Sequence, residues 1–485
     1  MNFSIIIMIL GTIILLTGAF FLLPVITGVI YGEYHIALIY LFLGGAYVVC
    51  GYLIRKLHKP EKDTFYAKEG FVAVALSWIV MSLLGAFPFM LTGEIPALAD
   101  ALFETVSGFT TTGSSILTDV EALSHASLIW RSFTHWVGGM GVLVFMLAVL
   151  PMTGGSSMNL MKAESPGPSV GKLVPKIRHT AFLLYAIYGI MTVILVLLLL
   201  MFGMPLFDSL CTAFGTAGTG GFGILNSSMG HYSPLLQNIV TVFMLLFGVN
   251  FSFYYYILIR KQEEAFAMEE IRWYFIIYAA AVVLITLNLR TGADVQVGKS
   301  VADTIRFAAF QVSSVMTTTG FSTADFNRWP AFSRTILVLV MFIGACAGST
   351  GGGMKVSRIL LYFRQIRREL GKQIHPRTVK VLKMDGRTLE KDVLHSASVF
   401  LMAYVVIFAL SVLIITLENK DLTTSFTAVA ATINNIGPGL NEVGPTGNFH
   451  GFSPLSKYVF IFDMLAGRLE LFPMLLLFAP DTWKK

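Results

Sequence analysis

The chain has 485 residues, of which 55% are hydrophobic and 44 are glycine, while only 13% are charged. An ordinary soluble domain carries about 25% charged residues, and one core cannot absorb so much apolar surface. These proportions exclude a soluble enzyme, a disordered chain and a disulfide-stapled scaffold, since the three cysteines lie far apart. They predict a polytopic membrane protein, and we expect no enzymatic activity.

Apolar stretches of about 20 residues are long enough to cross a bilayer as helices. A tenth stretch, at 335–347, is interrupted by the run Gly348–Gly353 before a helical pattern resumes at 354–373. The nine uninterrupted stretches, each predicted to be one membrane helix, are 5–30, 35–54, 71–92, 132–151, 180–203, 235–259, 273–289, 396–417 and 457–480.

Basic residues alternate along the chain in a way that predicts its orientation. Most of the 34 Lys and Arg lie in 55–68, 152–179, 260–272 and 355–391, whereas 93–130 and 204–259 have none. The positive-inside rule therefore places these basic segments and both termini in the cytoplasm. This explains the net charge of +6 without nucleic-acid binding. The segment 355–391 is either an anchor for anionic lipids or a docking surface for a cytoplasmic regulator.

Four segments between paired spans share one fourteen-residue register that ends on a glycine. The glycines are 108, 99 and 117 residues apart, and a period of this length indicates a repeated two-helix-plus-loop unit. The segments end in Thr110-Thr111-Thr112-Gly113, Gly218-Thr219-Gly220-Gly221, Thr317-Thr318-Thr319-Gly320 and Asn434-Asn435-Ile436-Gly437.

We therefore expect an all-α membrane protein with four pseudo-repeated units of helix, pore half-helix, filter loop and helix around one central pore. Two extra membrane helices precede the units. The expected boundaries are 1–68 for the N-terminal pair and its basic loop, then 69–179, 180–271, 272–395 with a broken inner helix, and 396–485 for the four repeats.

The chemistry of these loops favours a monovalent cation. None of the sixteen residues carries a charge, and irregular backbone at membrane depth is tolerated only where protein or a wet cavity surrounds it. Four such loops around one axis would point carbonyl oxygens inward and replace the hydration shell of an ion. The half-helices would add the negative ends of their dipoles. A proton path or a divalent-metal site would instead be expected to show carboxylates.

At these residues the chain resembles the superfamily of microbial Trk and Ktr potassium uptake proteins, and within it the TrkH type. The resemblance covers nearly the whole chain, including the two extra N-terminal spans. The matching motifs are Thr110–Gly113, Trp136-Val-Gly-Gly-Met-Gly141, Ala347–Lys355, Asn434–Gly439 and Gly467-Arg-Leu-Glu470.

The resemblance implies potassium as the transported ion, with the four glycines and the residues before them as the selectivity filter. The second repeat departs most from the pattern, so that Gly220 could serve there in place of Gly221. The resemblance also implies a bacterial plasma-membrane protein that forms homodimers and works with a cytoplasmic nucleotide-binding ring of the TrkA type. No cofactor is expected in this chain itself.

The interrupted tenth span has two interpretations. Its residues Gly348, Ser349, Thr350, Gly351, Gly352 and Gly353 disfavour a continuous helix, since each glycine costs about 1 kcal/mol against alanine. A flexible loop below the filter would be an intramembrane gate, which is what the resemblance implies for this position. The alternative is close helix packing through small residues.

Arg468 lies inside an apolar span, where a charge is costly and calls for a partner. It is either an electrostatic barrier in the pore, as the resemblance implies, or one member of a structural ion pair. Asp463 and Glu470 share its span at offsets that do not place them beside it. These two carboxylates also keep open an alternative function, a secondary active potassium symporter coupled to protons or sodium.

Overall fold

The computed structural model describes residues 1–58, 67–141, 177–291, 300–377, 381–389 and 391–484. Helices dominate these residues, which confirms the expected all-α class. The strands within them form one short antiparallel hairpin, Lys383–Met384 with Arg387–Thr388. The turn at Asp385-Gly386 has positive φ at both residues, as tight hairpins require. This hairpin, in the basic segment before the last repeat, was not expected from the sequence.

The helices follow the order outer helix, pore helix, inner helix four times, after an N-terminal pair. The N-terminal pair is Phe3–Phe20 continued by Leu22–Ile30, and Tyr34–Leu57. The outer helices are Ala67–Leu91, Ile177–Met201, Glu269–Thr291 and Lys391–Ile415. The pore helices are Leu98–Phe109, Leu206–Ala217, Val301–Met316 and Leu422–Ile433.

The inner helices come in pieces. They are His125–Gly139, then Pro234–Phe247 with Phe251–Leu258, then Ala331–Ile343 with Val356–Ile374, and finally Pro454–Arg468 with Phe472–Phe478. Short connecting helices are Gln262–Phe266 and Pro480–Trp483, and single 3-10 turns lie at Ser228–His231, Phe326–Arg328, Thr416–Glu418 and Asn441–Val443.

Among the described residues, six helical spans are long and apolar enough to cross a membrane, and a bent pair makes a seventh. Two of the six are the N-terminal spans Phe3–Ile30 and Tyr34–Leu57, and the other four correspond to the outer helices. The predicted span 132–151 extends beyond the described residues, since 142–176 are outside them.

Breaks in the inner helices correct the expectation that only the third is interrupted. The second bends by 86° between Phe247 and Phe251, so the predicted continuous span 235–259 is wrong. The predicted span 457–480 is also wrong, because its helix stops at Arg468 and the next two backbone positions after Leu469 have positive φ. Positive φ cannot be accommodated within a right-handed helix.

The pore helices are too short to cross a bilayer, and acidic residues mark their starts. Ser300 and Asp421 accept hydrogen bonds from backbone N–H groups as N-caps of the third and fourth. Hydrogen bonds from Thr424 hold the pKa of the Asp421 carboxyl below its ordinary value, so it stays ionised at the positive end of the helix. Asp100 instead pairs with Lys457, 2.5 Å away, and Asp208 accepts from Tyr232 at 2.9 Å.

The four repeats pack into a closed ring. Each pore helix packs between the outer and inner helices of its own repeat. It also contacts the inner helix of the preceding repeat, and pore helix Leu98–Phe109 contacts the fourth inner helix, Pro454–Arg468. Because every inner helix therefore touches two pore helices, the loops at the ends of the pore helices converge on one axis.

Close backbone contact holds the N-terminal pair together. A methyl group added to Gly51 would lie 2.5 Å from the Gly11 carbonyl oxygen and 2.6 Å from the Leu15 amide nitrogen. Small residues allow such approach between membrane helices, where there is no hydrophobic driving force for association. Gly45, on the same helix, has open space around it.

We predict that Gly51→Ala destabilises the protein by about 1–3 kcal/mol, because the added methyl forces the two helices apart. Gly45→Ala is the matched control, and should be neutral or slightly stabilising since alanine favours a helix. Thermal melting of the detergent-solubilised protein measures both. Equal melting temperatures for the two variants would contradict the packing assigned to Gly51.

Candidate functional site

Each pore helix ends in the same backbone turn. The residue that follows its right-handed C-cap has a positive φ, namely 56° at Thr111, 53° at Thr219, 59° at Thr318 and 55° at Asn435. Two residues later the glycines have φ values of 82° at Gly113, 74° at Gly221, 89° at Gly320 and 99° at Gly437. Threonine rarely adopts positive φ, so its recurrence at three equivalent positions marks a strained, repeated loop.

This turn also settles the register of the second loop. Gly221 has the positive φ that Gly113 has in the first loop, whereas Gly220 is not among the residues with positive φ. Gly220 is therefore the equivalent of Thr112, Thr319 and Ile436.

The four glycines touch each other's loops in a closed cycle. A Cβ atom built on Gly113 would collide with the carbonyl oxygen of Gly220, one on Gly221 with that of Thr319, and one on Gly320 with that of Ile436. A Cβ on Gly437 would lie 2.9 Å from the carbonyl oxygen of Thr112, which closes the cycle. Carbonyl oxygens from all four loops therefore lie at one level, and no side chain fits between neighbouring loops there.

Hydroxyl and amide groups brace the loops from behind. The hydroxyls of Thr110 and Thr112 are 2.8 Å apart, and those of Thr317 and Thr319 are 2.7 Å apart. Asn435 donates its amide to the Thr112 hydroxyl at 2.9 Å and so ties the fourth loop to the first. All of these side chains are buried. Thr110 and Thr317 also donate to carbonyls of their own pore helices, those of Val106 and Ser313.

A mouth opens on one side of the cycle. A cavity of about 160 Å³ is lined by all four glycines and by residues that follow them, including Ser114, Phe222 and Pro438. The pore helices end at this level with their C-termini, so the negative ends of four helix dipoles face the same region. The arrangement suits a desolvated cation coordinated by neutral oxygens.

The opposite side of the cycle is covered by the interrupted third inner helix. Between Gly344 and Lys355, both with φ of 75°, the chain forms a loop that contacts the filter loops. The Gly352 amide donates to the Thr318 hydroxyl at 2.6 Å, and the Gly353 amide donates to the Asn434 carbonyl at 3.1 Å. We call residues 344–355 the intramembrane loop.

Buried charged groups hold this loop from below. Glu270, at the start of the third outer helix, accepts the backbone amides of Ala347 at 2.7 Å and Ser357 at 3.0 Å. The Lys355 ammonium donates to the Gly351 carbonyl. Neither residue was singled out from the sequence. Lys355 was counted with the basic segment 355–391, yet it is only 3% exposed, and Arg358 is buried too, so neither belongs to a lipid anchor or a docking surface.

Arg468 reaches the intramembrane loop directly. Its guanidinium donates to the carbonyl of Thr350 at 2.7 Å, and to the carbonyls of Gly138 at 2.6 Å and Gly139 at 2.7 Å. Gly138 and Gly139 end the first inner helix. The cation thus links the fourth inner helix to the loop and to the first inner helix, immediately below the filter loops.

The two carboxylates that share the predicted span of Arg468, Glu470 and Asp463, have other partners. Glu470 forms an ion pair with Arg358 of the third inner helix. Asp463 is fully buried and accepts a hydrogen bond from Ser411 at 2.8 Å, while its second oxygen has no hydrogen-bond partner within the described part of the chain.

Two polar residues of the first inner helix also reach the filter, and sequence reasoning missed both. Arg131 pairs with Glu104 at 2.5 Å, and His135 bonds the backbone of the first pore helix at Gly108 and of the second loop at Phe222. The available signal was their spacing of one helical turn at a predicted membrane span, where ionisable residues usually mark function.

Comparison with known proteins agrees with this geometry. The sequence profile of the TrkH family, described as cation transport proteins, matches residues 41–485. The Trk system potassium uptake protein TrkH of Salmonella typhimurium is 37% identical, with complete coverage of both chains. TrkH of Escherichia coli K12 is 40% identical over 88% of each chain.

The fold agrees as well. The crystal structure of the potassium transporter TrkH from Vibrio parahaemolyticus superposes with a TM-score of 0.89 at 32% identity, covering all of both chains. Its full-length match, together with the family profile, places the chain among multi-pass membrane proteins. The chain belongs to the TrkH family of cation transport proteins.

Proposed function

We propose that this chain is the potassium-conducting subunit of a Trk-type uptake system. The observation that carries the proposal is the closed cycle in which each filter glycine abuts the carbonyl of the next loop. A ring of neutral oxygens, with no carboxylate among its residues, favours a monovalent cation over a divalent one. The relatives named above are potassium uptake proteins, which supports potassium as the ion.

The proposed passage is channel-like. Potassium enters from the mouth lined by the four glycines, loses its water at the carbonyls, and then meets the intramembrane loop and Arg468. The membrane potential drives entry with about 2.3 kcal/mol per charge for each 100 mV. The intramembrane loop is the gate, since its glycines lie against the filter residues Thr317 and Asn434.

The setting follows from the same reasoning. The chain is proposed to lie in the bacterial inner membrane with both termini in the cytoplasm, where the positive-inside rule places its basic segments. A homodimer and a cytoplasmic nucleotide-binding ring of the TrkA type are the proposed partners, and any nucleotide would be held by that ring. The relatives' designation as parts of a Trk system supports further subunits.

The second candidate function is symport of potassium with protons or sodium, and the buried carboxyl of Asp463 is the observation that favours it. A titratable group inside a transporter is a common device for coupling ions. Asp463 lies outside the filter, however, and bonds Ser411 of the fourth outer helix. Channel-like passage is therefore preferred.

Proteoliposome currents separate the two functions. We expect a reversal potential set by the potassium gradient alone, unchanged when a pH or sodium gradient is imposed, for both the unmodified protein and Asp463→Asn. A reversal potential that shifts with the pH or sodium gradient would favour symport. Loss of that shift in Asp463→Asn would then assign the coupling ion to this carboxyl.

Replacing Gly113 or Gly320 by Ser is expected to lower the potassium-to-sodium permeability ratio about tenfold. The new Cβ would sit at a positive φ and against a neighbouring carbonyl, at a cost of about 1–3 kcal/mol. Gly230→Ser is the control, because its Cβ has only ordinary contacts, the nearest atom being 3.6 Å away. Unchanged permeability ratios in both filter variants, at normal protein yield, would remove the filter assignment.

Arg468→Ala should raise potassium flux about tenfold or more while leaving selectivity intact. It removes a positive charge below the filter and frees the Thr350 carbonyl that the guanidinium holds. Charged hydrogen bonds of this kind contribute about 1.5–3 kcal/mol each. Flux and thermal stability are measured together on the same preparation.

Arg468→Lys distinguishes charge from tethering, because an ammonium keeps the charge but lacks the fork that bonds three carbonyls. Intermediate flux is expected. A lower melting temperature with unchanged flux per folded molecule would make Arg468 a structural residue and remove it from the gate.

A further inference from the structure

The second filter loop lacks the side chains that brace the first and third. Where those loops carry the threonine pairs Thr110–Thr112 and Thr317–Thr319, the second has Gly218 and Gly220. The backbone of this loop lies directly against the first inner helix. A Cβ on Gly218 would collide with the His135 carbonyl, and a Cβ on Gly220 would enter the His135 imidazole. The imidazole therefore occupies the place that a threonine side chain fills behind the first and third loops.

His135 also makes two hydrogen bonds that bridge two repeats. Its Nδ1 bonds the carbonyl of Gly108, near the end of the first pore helix, at 2.8 Å. Its Nε2 accepts the backbone amide of Phe222, the residue after filter glycine Gly221, at 3.2 Å. A carbonyl can only accept, so Nδ1 carries the proton and Nε2 has the free lone pair. The ring is completely buried.

Arg131, one helical turn earlier, contacts the same loop. Its guanidinium lies 3.7 Å from the centre of the Phe222 ring and donates to the Gly223 carbonyl at 2.9 Å. Glu104 of the first pore helix holds that guanidinium in turn. The Phe222 side chain is thus in contact with both Arg131 and His135, whose ring centre is 4.3 Å away.

We propose that His135 is a positioning residue for ion selectivity. It fixes the second filter loop against the first repeat by accepting a hydrogen bond from the Phe222 amide and by filling the space behind Gly220. This proposal rests on the potassium-filter function proposed above.

The consequence for the filter follows from the closed cycle. The Gly220 carbonyl is the one that abuts Gly113, so a shift of the second strand changes the spacing of carbonyls from two repeats. Without the imidazole, the buried Phe222 amide loses its partner and a void forms behind Gly220. Both effects let the strand move, and a wider or looser ring no longer discriminates against a smaller, more tightly hydrated ion.

The test uses three replacements measured by potassium and sodium reversal potentials in proteoliposomes. His135→Leu fills space without hydrogen bonds. His135→Asn can place its amide nitrogen near the position of Nδ1 and keep the Gly108 bond, but is too short to accept from Phe222. His135→Gln can place its amide oxygen near the position of Nε2 and keep the Phe222 bond. Trp136→Phe is the matched control, since it removes a bond to Thr192 from the same helix, away from the filter.

We expect the potassium-to-sodium permeability ratio to fall about tenfold in His135→Leu and His135→Asn, and to stay within about threefold of the unmodified protein in His135→Gln and Trp136→Phe. Equal selectivity in the Asn and Gln variants would overturn the proposal, as would an unchanged ratio in His135→Leu. If His135→Leu cannot be purified, the Asn and Gln pair decides the matter by itself.

A double replacement tests the space-filling half of the proposal. His135→Ala leaves a void behind Gly220, and Gly220→Thr in the same chain supplies the side chain that the first and third loops carry there. We expect Gly220→Thr alone to impair selectivity and the double variant to recover part of it. Additive losses would contradict a shared space.

Gly113→Ser in the same assay separates this proposal from the filter assignment. If Gly113→Ser lowers selectivity while every His135 variant keeps it, only the role of His135 is wrong. If Gly113→Ser and the His135 variants all leave selectivity unchanged, the filter assignment itself fails.

Discussion

The constraint on which this structure depends is the mutual approach of four loops, each of which presents a glycine to the carbonyl of the next. No side chain can stand between them, so the loops must be held from behind and from the sides. The short pore helices deliver the loops to the axis, and each inner helix packs against two pore helices to keep them there. The hydroxyl pairs, Asn435 and His135 form the supporting shell that keeps the backbone in this strained form.

The intramembrane loop is a further stretch of irregular backbone beside the filter loops, and its polar groups bond partners in the second, third and fourth repeats. Arg468 of the fourth bonds the Thr350 carbonyl and reaches the end of the first inner helix. Glu270 of the third accepts loop amides, and the Phe251 amide of the second donates to the Gly348 carbonyl at 2.9 Å. A loop with partners in three repeats responds to small shifts of any of them, which is the property that the proposed gate needs.

Much of this architecture could be predicted from the sequence, because it depends on the order of residues within short segments. Apolar length identified the outer helices, and the shared register of Gly113, Gly320 and Gly437 located the loops. The breaks in the second and fourth inner helices could not be predicted in the same way. The second contains Gly248 but no glycine run, and in the fourth Leu471 adopts a positive φ that its residue type disfavours.

Contacts between residues far apart in the sequence could not be predicted either. The spacing of Glu470 from Arg468 excludes a pair on one helix face but names no other partner, and the structure pairs Glu470 with Arg358, which is 112 residues away. In the sequence, Glu270 and Lys355 look like exposed charged residues of cytoplasmic segments. The fold buries both of them below the filter loops. His135 contacts the second filter loop only because the second pore helix packs against the first inner helix. Such roles depend on which repeats are neighbours, and residue spacing carries no information about that.

The bond between Asn435 and Thr112 joins residues 323 positions apart, across the seam where the fourth repeat meets the first. Chains emerge from the ribosome N-terminus first, so the first loop is made long before its partner exists. While the last repeat is still missing, this bond cannot form and the cycle of loops stays incomplete. Closure of the cycle of four loops is therefore a late step of folding, which has to wait for the final helices of the chain.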